Sequence, residues 1–193
     1  MHICCLSFNF HAIYHKMDTT MFKRATLIAL FALCLTLPVS AQSSFSGAFL
    51  SSYDAASDKI VQLADAFPED KYDWRPSEGV RSVKEAVMHV ASANYFFGSM
   101  LGASVPEGIN PRELESSIES KEEAVKVLKQ SIDFAHKAVD KLSAASLDEE
   151  IDLFGDKAPR LRLVLVVGEH ANEHLGQLIA YARSTGVTPP WSN

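Results

Sequence analysis

Apolar residues recur every three or four positions in four separate stretches of the chain, which is the spacing of one face of an α-helix. In the first stretch, residues 46–67, the repeating positions are Phe49, Tyr53, Ala56, Ile60, Leu63 and Phe67. The other three stretches cover residues 82–102, 120–144 and 159–186. No stretch alternates convincingly as a half-buried β-strand would. The pattern therefore predicts an all-α protein, a four-helix bundle.

Capping signals place the ends of these helices. Ser82 with Glu85 and Ser120 with Glu123 have the S-x-x-E spacing of a capping box. Pro159 suits the first turn of the last helix. The segment before it, residues 145–157, could be extended near Ile151 to Phe154. We therefore predict a long crossover connection between the third and fourth helices.

The start of the chain has the pattern of a leader. Residues 21–41 contain Lys23 and Arg24, an apolar run ended by Pro38, and a small-residue site that ends at Ala41. This order is typical of a secretory signal peptide, so we expect cleavage after Ala41. An uncleaved membrane anchor is the alternative reading.

The twenty residues before that leader fit no part of a signal peptide. We interpret residues 1–20 as a start-site artefact, with a disordered extension as the alternative. Residues 42–193 then form one domain, and we expect it to be periplasmic or extracellular, with no stable membrane anchor after cleavage. The length of 152 residues is ample for a single domain.

Removing residues 1–41 changes the composition. The net charge of the whole chain is −6, and that of residues 42–193 is −8, which argues against a nucleic-acid partner. All 3 Cys lie in the removed segment, so neither disulfides nor thiol chemistry is expected in the domain.

Three histidines of the domain fall on predicted core faces. His170 and His174 lie one turn apart on the fourth helix, and His89 lies on the second. Three imidazoles from two helices could hold zinc, nickel, iron or copper and leave positions open for water. Alternatively, each His is a hydrogen-bonded core residue. His136, beside its helix's apolar stripe, is read as a surface residue.

Other polar and aromatic residues near these positions are candidates for supporting roles. Glu85 and Glu173 are the candidate acid–base groups. The spacing E-H-A-N-E-H differs from the H-E-x-x-H of metalloproteases. The candidates for the pocket and for contacts behind the ligands are Gln177, Trp74, Tyr181 and Trp191.

Two segments resemble the DinB-like (DinB/YfiT) superfamily of four-helix proteins. They are FPEDKYDWRPSEGVRSVKEAVMHVASANYFF and GEHANEHLGQLIAYARSTGVTPPWS, which carry a W-x-P loop, a His in the second helix and a late E-H-x-x-x-H-x-G-Q helix. The resemblance implies a bundle with a crossover and a metal, most often nickel or zinc, held by His89, His170 and His174. It also implies a homodimer, and relatives include bacillithiol transferases and a mycothiol-dependent isomerase.

These observations lead to one expected function and two alternatives. We expect an exported metal-dependent enzyme that carries out hydrolysis or group transfer on a small molecule. The first alternative is a bundle that binds a metal or small ligand without catalysis. The second is a stress-response helical protein in which the histidines are structural.

Overall fold

The structure is a computed structural model that describes residues 37–192, with side chains described from Phe45 onward. The chain divides into Met1–Pro38 and a compact unit, Val39–Asn193. The predicted start-site artefact and most of the predicted signal peptide lie outside the described residues. The cleavage site and the domain start at residue 42 stay predictions.

Four long helices dominate the described residues. The helices are α1 (Leu37–Ala66), α2 (Val83–Met100), the short α3 (Leu114–Ser117), α4 (Lys121–Asp140), the short α5 (Ala144–Leu147) and α6 (Arg160–Ser184). A 3-10 turn covers Glu69–Lys71, and two short strands, β1 (Glu150–Leu153) and β2 (Asp156–Pro159), precede α6. The predicted all-α, four-helix bundle is confirmed.

Side-chain contacts give the directions of the helices. Asn94 and Gly98 of α2 meet Ser131 and Phe134 of α4 in the same order along the chain, so α2 and α4 run parallel. Residues 101–120 must therefore cross from one end of the bundle to the other. The connection between α4 and α6 is long, as predicted, but the end-to-end crossing itself lies in residues 101–120.

The connection before α6 contains a β-hairpin. β1 pairs with β2 in antiparallel register, with Leu153 opposite Asp156 and a two-residue turn between them. Phe154 and Gly155, the turn residues, have φ of 60° and 96°. Positive φ at both positions is what a type I′ turn requires. The extended conformation expected near Ile151 is confirmed, whereas the second strand was not anticipated.

The helix starts show which capping signals are used. Ser82 accepts a hydrogen bond from the Glu85 backbone, and the Glu85 side chain accepts one from the Ser82 backbone, which completes the predicted capping box. At α4, Ser120 accepts from the Glu123 backbone, but the reciprocal bond is not formed. The second capping box is therefore only half present. Pro159, predicted in the first turn of the last helix, instead lies immediately before α6, at its N-cap and at the end of β2.

The core lies between the four long helices, and the predicted apolar stripes face it. Ile60, Leu63, Leu128, Leu163 and Leu178 are fully buried. Each such side chain contributes about 1.5–3 kcal/mol when taken out of water. No described helix has the length and apolar character needed to cross a membrane.

A buried polar chain also passes through this core. The Tyr53 hydroxyl donates to the Asn94 side-chain oxygen at 3.0 Å, and the Asn94 amide donates to Ser131 Oγ at 3.1 Å. Ser131 in turn donates to the Leu128 carbonyl at 2.7 Å. The chain links α1, α2 and α4, and every member has a partner, which offsets the cost of burying it.

Candidate metal centre

The three predicted histidines meet between α2 and α6. His170 Nε2 lies 3.2 Å from His89 Nε2 and 3.1 Å from His174 Nε2. One ligand atom from each ring falls in a group no more than 4.8 Å across. The i, i+4 spacing on α6 places two of the rings together. α2 supplies the third ring, and it runs antiparallel to α6, because Phe97 meets His170 whereas the earlier Arg81 meets the later Tyr181.

The tautomer of His89 follows from its partner. His89 Nδ1 lies 2.6 Å from a carboxylate oxygen of Glu115, on the short helix α3. A carboxylate can only accept a hydrogen bond, so Nδ1 carries the proton. Nε2 therefore presents a lone pair toward the other two rings.

The tautomer of His174 follows from a longer chain of hydrogen bonds. The Tyr181 hydroxyl donates to the Arg81 carbonyl at 3.0 Å and accepts from Gln177 Nε2 at 2.9 Å. Gln177 thus turns its oxygen toward His174 Nδ1, 2.7 Å away. Nδ1 must donate there, and the Nε2 of His174 is left with a free lone pair as well.

Burial keeps the α6 rings neutral. Burial, with smaller contributions from His174, His89 and Arg81, lowers the pKa of His170 to about 3. Burial also lowers the pKa of His174, against the opposing effect of its hydrogen bond to Gln177. Neutral imidazoles are the form that binds a metal ion.

The donor set fits a metal ion. His170 Nε2 can give a proton to only one neighbour, so at least one of its two short N···N contacts brings lone pairs face to face. A cation placed among the three nitrogens removes that repulsion. With metal–nitrogen bonds of 2.0–2.1 Å and tetrahedral angles, ligand nitrogens are expected about 3.3 Å apart, close to the 3.2 and 3.1 Å that separate His170 Nε2 from its two neighbours. Three protein ligands would leave coordination positions open.

Glu115 is the main contact that the sequence did not indicate. Besides His89, it holds Arg81, whose Nε lies 2.7 Å from the second carboxylate oxygen. Burial raises the pKa of Glu115, but the hydrogen bonds from Arg81 and His89 outweigh it and the net pKa is lowered. The carboxylate therefore stays charged behind the ligand. Its place in a connecting segment with no helical period gave no local signal.

The two candidate acid–base groups lie in different settings. Glu85 accepts from the Ser82 backbone and pairs with Arg75 at 3.1 Å, and these hydrogen bonds lower its pKa. Glu173 is exposed on α6, and its charge partly opposes the lowering of the His174 pKa by burial. Glu173 is the more available of the two for proton transfer, because no hydrogen bond or ion pair engages its side chain among the described residues.

The remaining predicted residues are divided between the site and its surroundings. Gln177 and Tyr181 form the hydrogen-bond chain behind His174. Trp74 packs edge-on against Tyr181, with ring centroids 5.3 Å apart. Trp191 instead lies against α1, where the Lys59 ammonium is 5.6 Å from its ring.

His136 stays apart from the cluster. It is partly exposed, and its Nδ1 lies 2.8 Å from an Asp54 carboxylate oxygen. The prediction of a surface position away from the apolar stripe agrees with this placement.

A cavity of about 580 Å³ lies behind the site. Glu115 and Gln177, which orient two of the ligands, line it together with Glu85, Arg75 and Arg81. The side chains that orient His89 and His174 therefore face this cavity, whereas the rings themselves do not line it.

Comparison with known proteins gives a family match across most of the described chain. Residues 52–178 match the DinB superfamily. The chain is 30% identical over 133 residues to the uncharacterized protein YjoA of Bacillus subtilis, which covers 66% of this chain and 82% of that protein.

Solved structures show the same fold. A DinB-like protein from Bacillus cereus aligns with a TM-score of 0.65 at 17% identity, over 75% of this chain and 95% of that one. The structure of YjoA aligns with a TM-score of 0.59 at 26% identity, over 72% and 92% of the two chains. A conserved protein from Enterococcus faecalis aligns with a TM-score of 0.58 at 15% identity, over 72% of this chain and 95% of that one.

Proposed function

Because the chain belongs to the DinB superfamily, we propose that it is a metal-dependent enzyme acting on a small molecule by hydrolysis or group transfer. His89, His170 and His174 would hold one divalent ion, nickel or zinc. The observation that carries the proposal is the meeting of three Nε2 atoms, two of which present lone pairs because their Nδ1 atoms donate hydrogen bonds.

The residues around the ligands support this role. Glu115 and Gln177 fix the tautomers of His89 and His174, as partners behind metal ligands commonly do. A bound divalent ion supplies Lewis acidity, which polarises a substrate group or acidifies a water. Glu173 is the candidate proton acceptor, since it is exposed and its charge acts on His174.

Metal analysis of protein purified without a His tag tests the site. We expect one ion per chain in the wild type and its loss in His170→Ala and His174→Ala. His136→Ala is the matched control, since that ring is held by a carboxylate outside the cluster, and it should retain the ion. Stoichiometric metal that persists in the His170→Ala/His174→Ala double variant would refute the assignment.

Two further measurements separate the alternatives. A bundle that only sequesters a metal would hold the ion tightly but turn over no ester, amide or thiol-transfer substrate. If the histidines are purely structural, a chelator should leave the melting temperature unchanged.

Export is the second part of the proposal. It is supported by the basic, apolar and small-residue order of residues 21–41. Cleavage after Ala41 would remove only the first five residues of α1 and leave its apolar stripe, which begins at Phe49, intact. Mass spectrometry of the fractionated protein should find Gln42 at the N-terminus in the periplasm or medium, and a full-length chain in the cytosol would contradict export.

A homodimer and the absence of a nucleic-acid partner are proposed on different grounds. The family resemblance supports the dimer, which sedimentation can test. The net charge of −8 for residues 42–193 supports the lack of nucleic-acid binding, which a gel-shift assay at low salt can test.

A further inference from the structure

Three phenylalanine rings extend from the histidine cluster to the protein surface. Phe97 of α2 packs edge-on against His170, with centroids 5.5 Å apart. Phe154, at the hairpin turn, lies 6.4 Å from Phe97 and 6.5 Å from Phe96, and it is nearly parallel to Phe96. We call Phe96, Phe97 and Phe154 the aromatic ledge.

The ledge carries most of the exposed large apolar side chains of the described residues. Among the described residues the exposed large hydrophobic side chains are Phe96 at 39%, Phe154 at 63% and Leu165 at 38%. Two of these three belong to the ledge. A contiguous apolar surface next to a polar site is typical of a binding site.

The backbone at Phe154 is unfavourable for the residue it carries. Its φ of 60° is in the left-handed region, where the first position of a type I′ turn normally has Asn, Asp or Gly. The exposed ring also buries little of its own surface. Neither the turn nor the core explains a phenylalanine here, and a conformationally costly residue beside a site points to a functional role.

We propose that the aromatic ledge binds the apolar tail of the substrate while a polar head reaches the three histidines. The substrate class is thus an amphiphile with a chain of several carbons or a ring attached to a metal-binding group. This inference rests on the proposed metal site. It makes Phe154 a specificity-determining residue, because it is the most exposed ring of the ledge.

The size of the ledge favours a small ligand over a second protein. A phenylalanine side chain supplies roughly 150–250 Å² when buried, so the exposed fractions of the three rings amount to on the order of 200 Å². A stable protein interface needs about 800 Å² from each partner. The ledge alone is therefore too small for a dimer interface, but it suits one acyl chain or ring.

Two hydroxamates that share a metal-binding head test the inference. Calorimetry would compare acetohydroxamate with octanohydroxamate on protein loaded with zinc or nickel. Each methylene fully removed from water is expected to tighten binding about fourfold, and one lying on an open ledge about twofold. The six additional methylenes of octanohydroxamate should then improve the affinity of the wild type by roughly 60-fold.

Phe154→Asn is the decisive variant, because Asn suits the turn and the hairpin should still form. In this variant the ratio of the octanohydroxamate affinity to the acetohydroxamate affinity should fall at least fivefold. The affinity for acetohydroxamate should stay unchanged. Leu165→Ala, which removes an exposed apolar side chain outside the ledge, is the matched control and should keep the preference. The ratio of the two affinities within one variant does not depend on how much of the protein carries metal.

The outcomes distinguish this inference from the proposed function. If neither hydroxamate binds the wild type and no metal is held, the metal site itself fails. If both bind but Phe154→Asn keeps the full preference, the metal site stands and the role of the ledge is refuted. The inference would also be overturned if sedimentation showed a wild-type dimer that dissociates in Phe154→Asn while the preference for octanohydroxamate stays unchanged. The ledge would then bind a second copy of the chain.

Discussion

Replacing Glu115 should weaken metal binding although this residue is not itself a predicted ligand. Its carboxylate lies 2.6 Å from His89 Nδ1 and also neutralises Arg81. Glu115→Gln keeps an acceptor for His89 but removes the charge. Glu115→Ala removes both. In each variant the guanidinium of Arg81 loses its charged partner, and an uncompensated cation near the site opposes the binding of a metal cation.

The geometry sets the size of the effect. A hydrogen bond to a charged group contributes about 1.5–3 kcal/mol, and the partly exposed position of Glu115 reduces this through solvent screening. We expect a loss of about 1.4 kcal/mol for Glu115→Gln, or roughly tenfold in metal affinity. For Glu115→Ala we expect roughly 30-fold, within the range found when partners of metal ligands are removed.

Competition with a chromophoric chelator measures these affinities directly. Glu113→Gln is the matched control, because Glu113 precedes the same short helix and its side chain makes no capping hydrogen bond. Its metal affinity should equal that of the wild type. If Glu115→Ala bound metal within a factor of about two of the wild type, the argument that the carboxylate orients His89 would be refuted.

Three other substitutions test the bundle and its loops. Gly98→Ala should lower the free energy of unfolding by about 1–3 kcal/mol in urea titrations, because a Cβ there would overlap the Phe134 ring. Glu85→Gln keeps the cap but not the charge paired with Arg75. The folded-state pKa of Glu85 is lowered from 4.5, so the wild type should be more stable than the variant at pH 7. This advantage should be lost as the pH falls from 4.5 through the lowered pKa of the folded state. Phe154→Asn should raise the free energy of unfolding by about 1 kcal/mol in the same titrations, and no gain would mean that the turn is unstrained.

The helical part of the fold could be predicted because its signals are local. The periodic stripes and the capping box at Ser82 depend on residues within a turn or two of each other. The placement of His170 and His174 on one face follows from the same periodicity. Their approach to His89 depended on how the helices pack, and the core-facing phase of both helices was enough to anticipate it.

The contacts that were missed are those made between distant segments. Glu115 reaches His89 from a four-residue helix, which is too short to leave a periodic pattern. The parallel direction of α2 and α4 is set by matched contacts such as Asn94 with Ser131, and no sequence spacing encodes it. The β-hairpin has four residues in each strand, so an alternating pattern could scarcely be recognised.

The buried hydrogen bonds that link Tyr53, Asn94 and Ser131 also fix the position of one metal ligand. If α2 moved along its axis by one residue, several buried polar atoms would lose their hydrogen-bond partners. These hydrogen bonds therefore fix the axial position of α2. His89 lies five residues before Asn94, about 7.5 Å along the axis and on a different face. The axial position at which His89 meets the rings of α6 is thus set by hydrogen bonds of Asn94, on another face of the same helix.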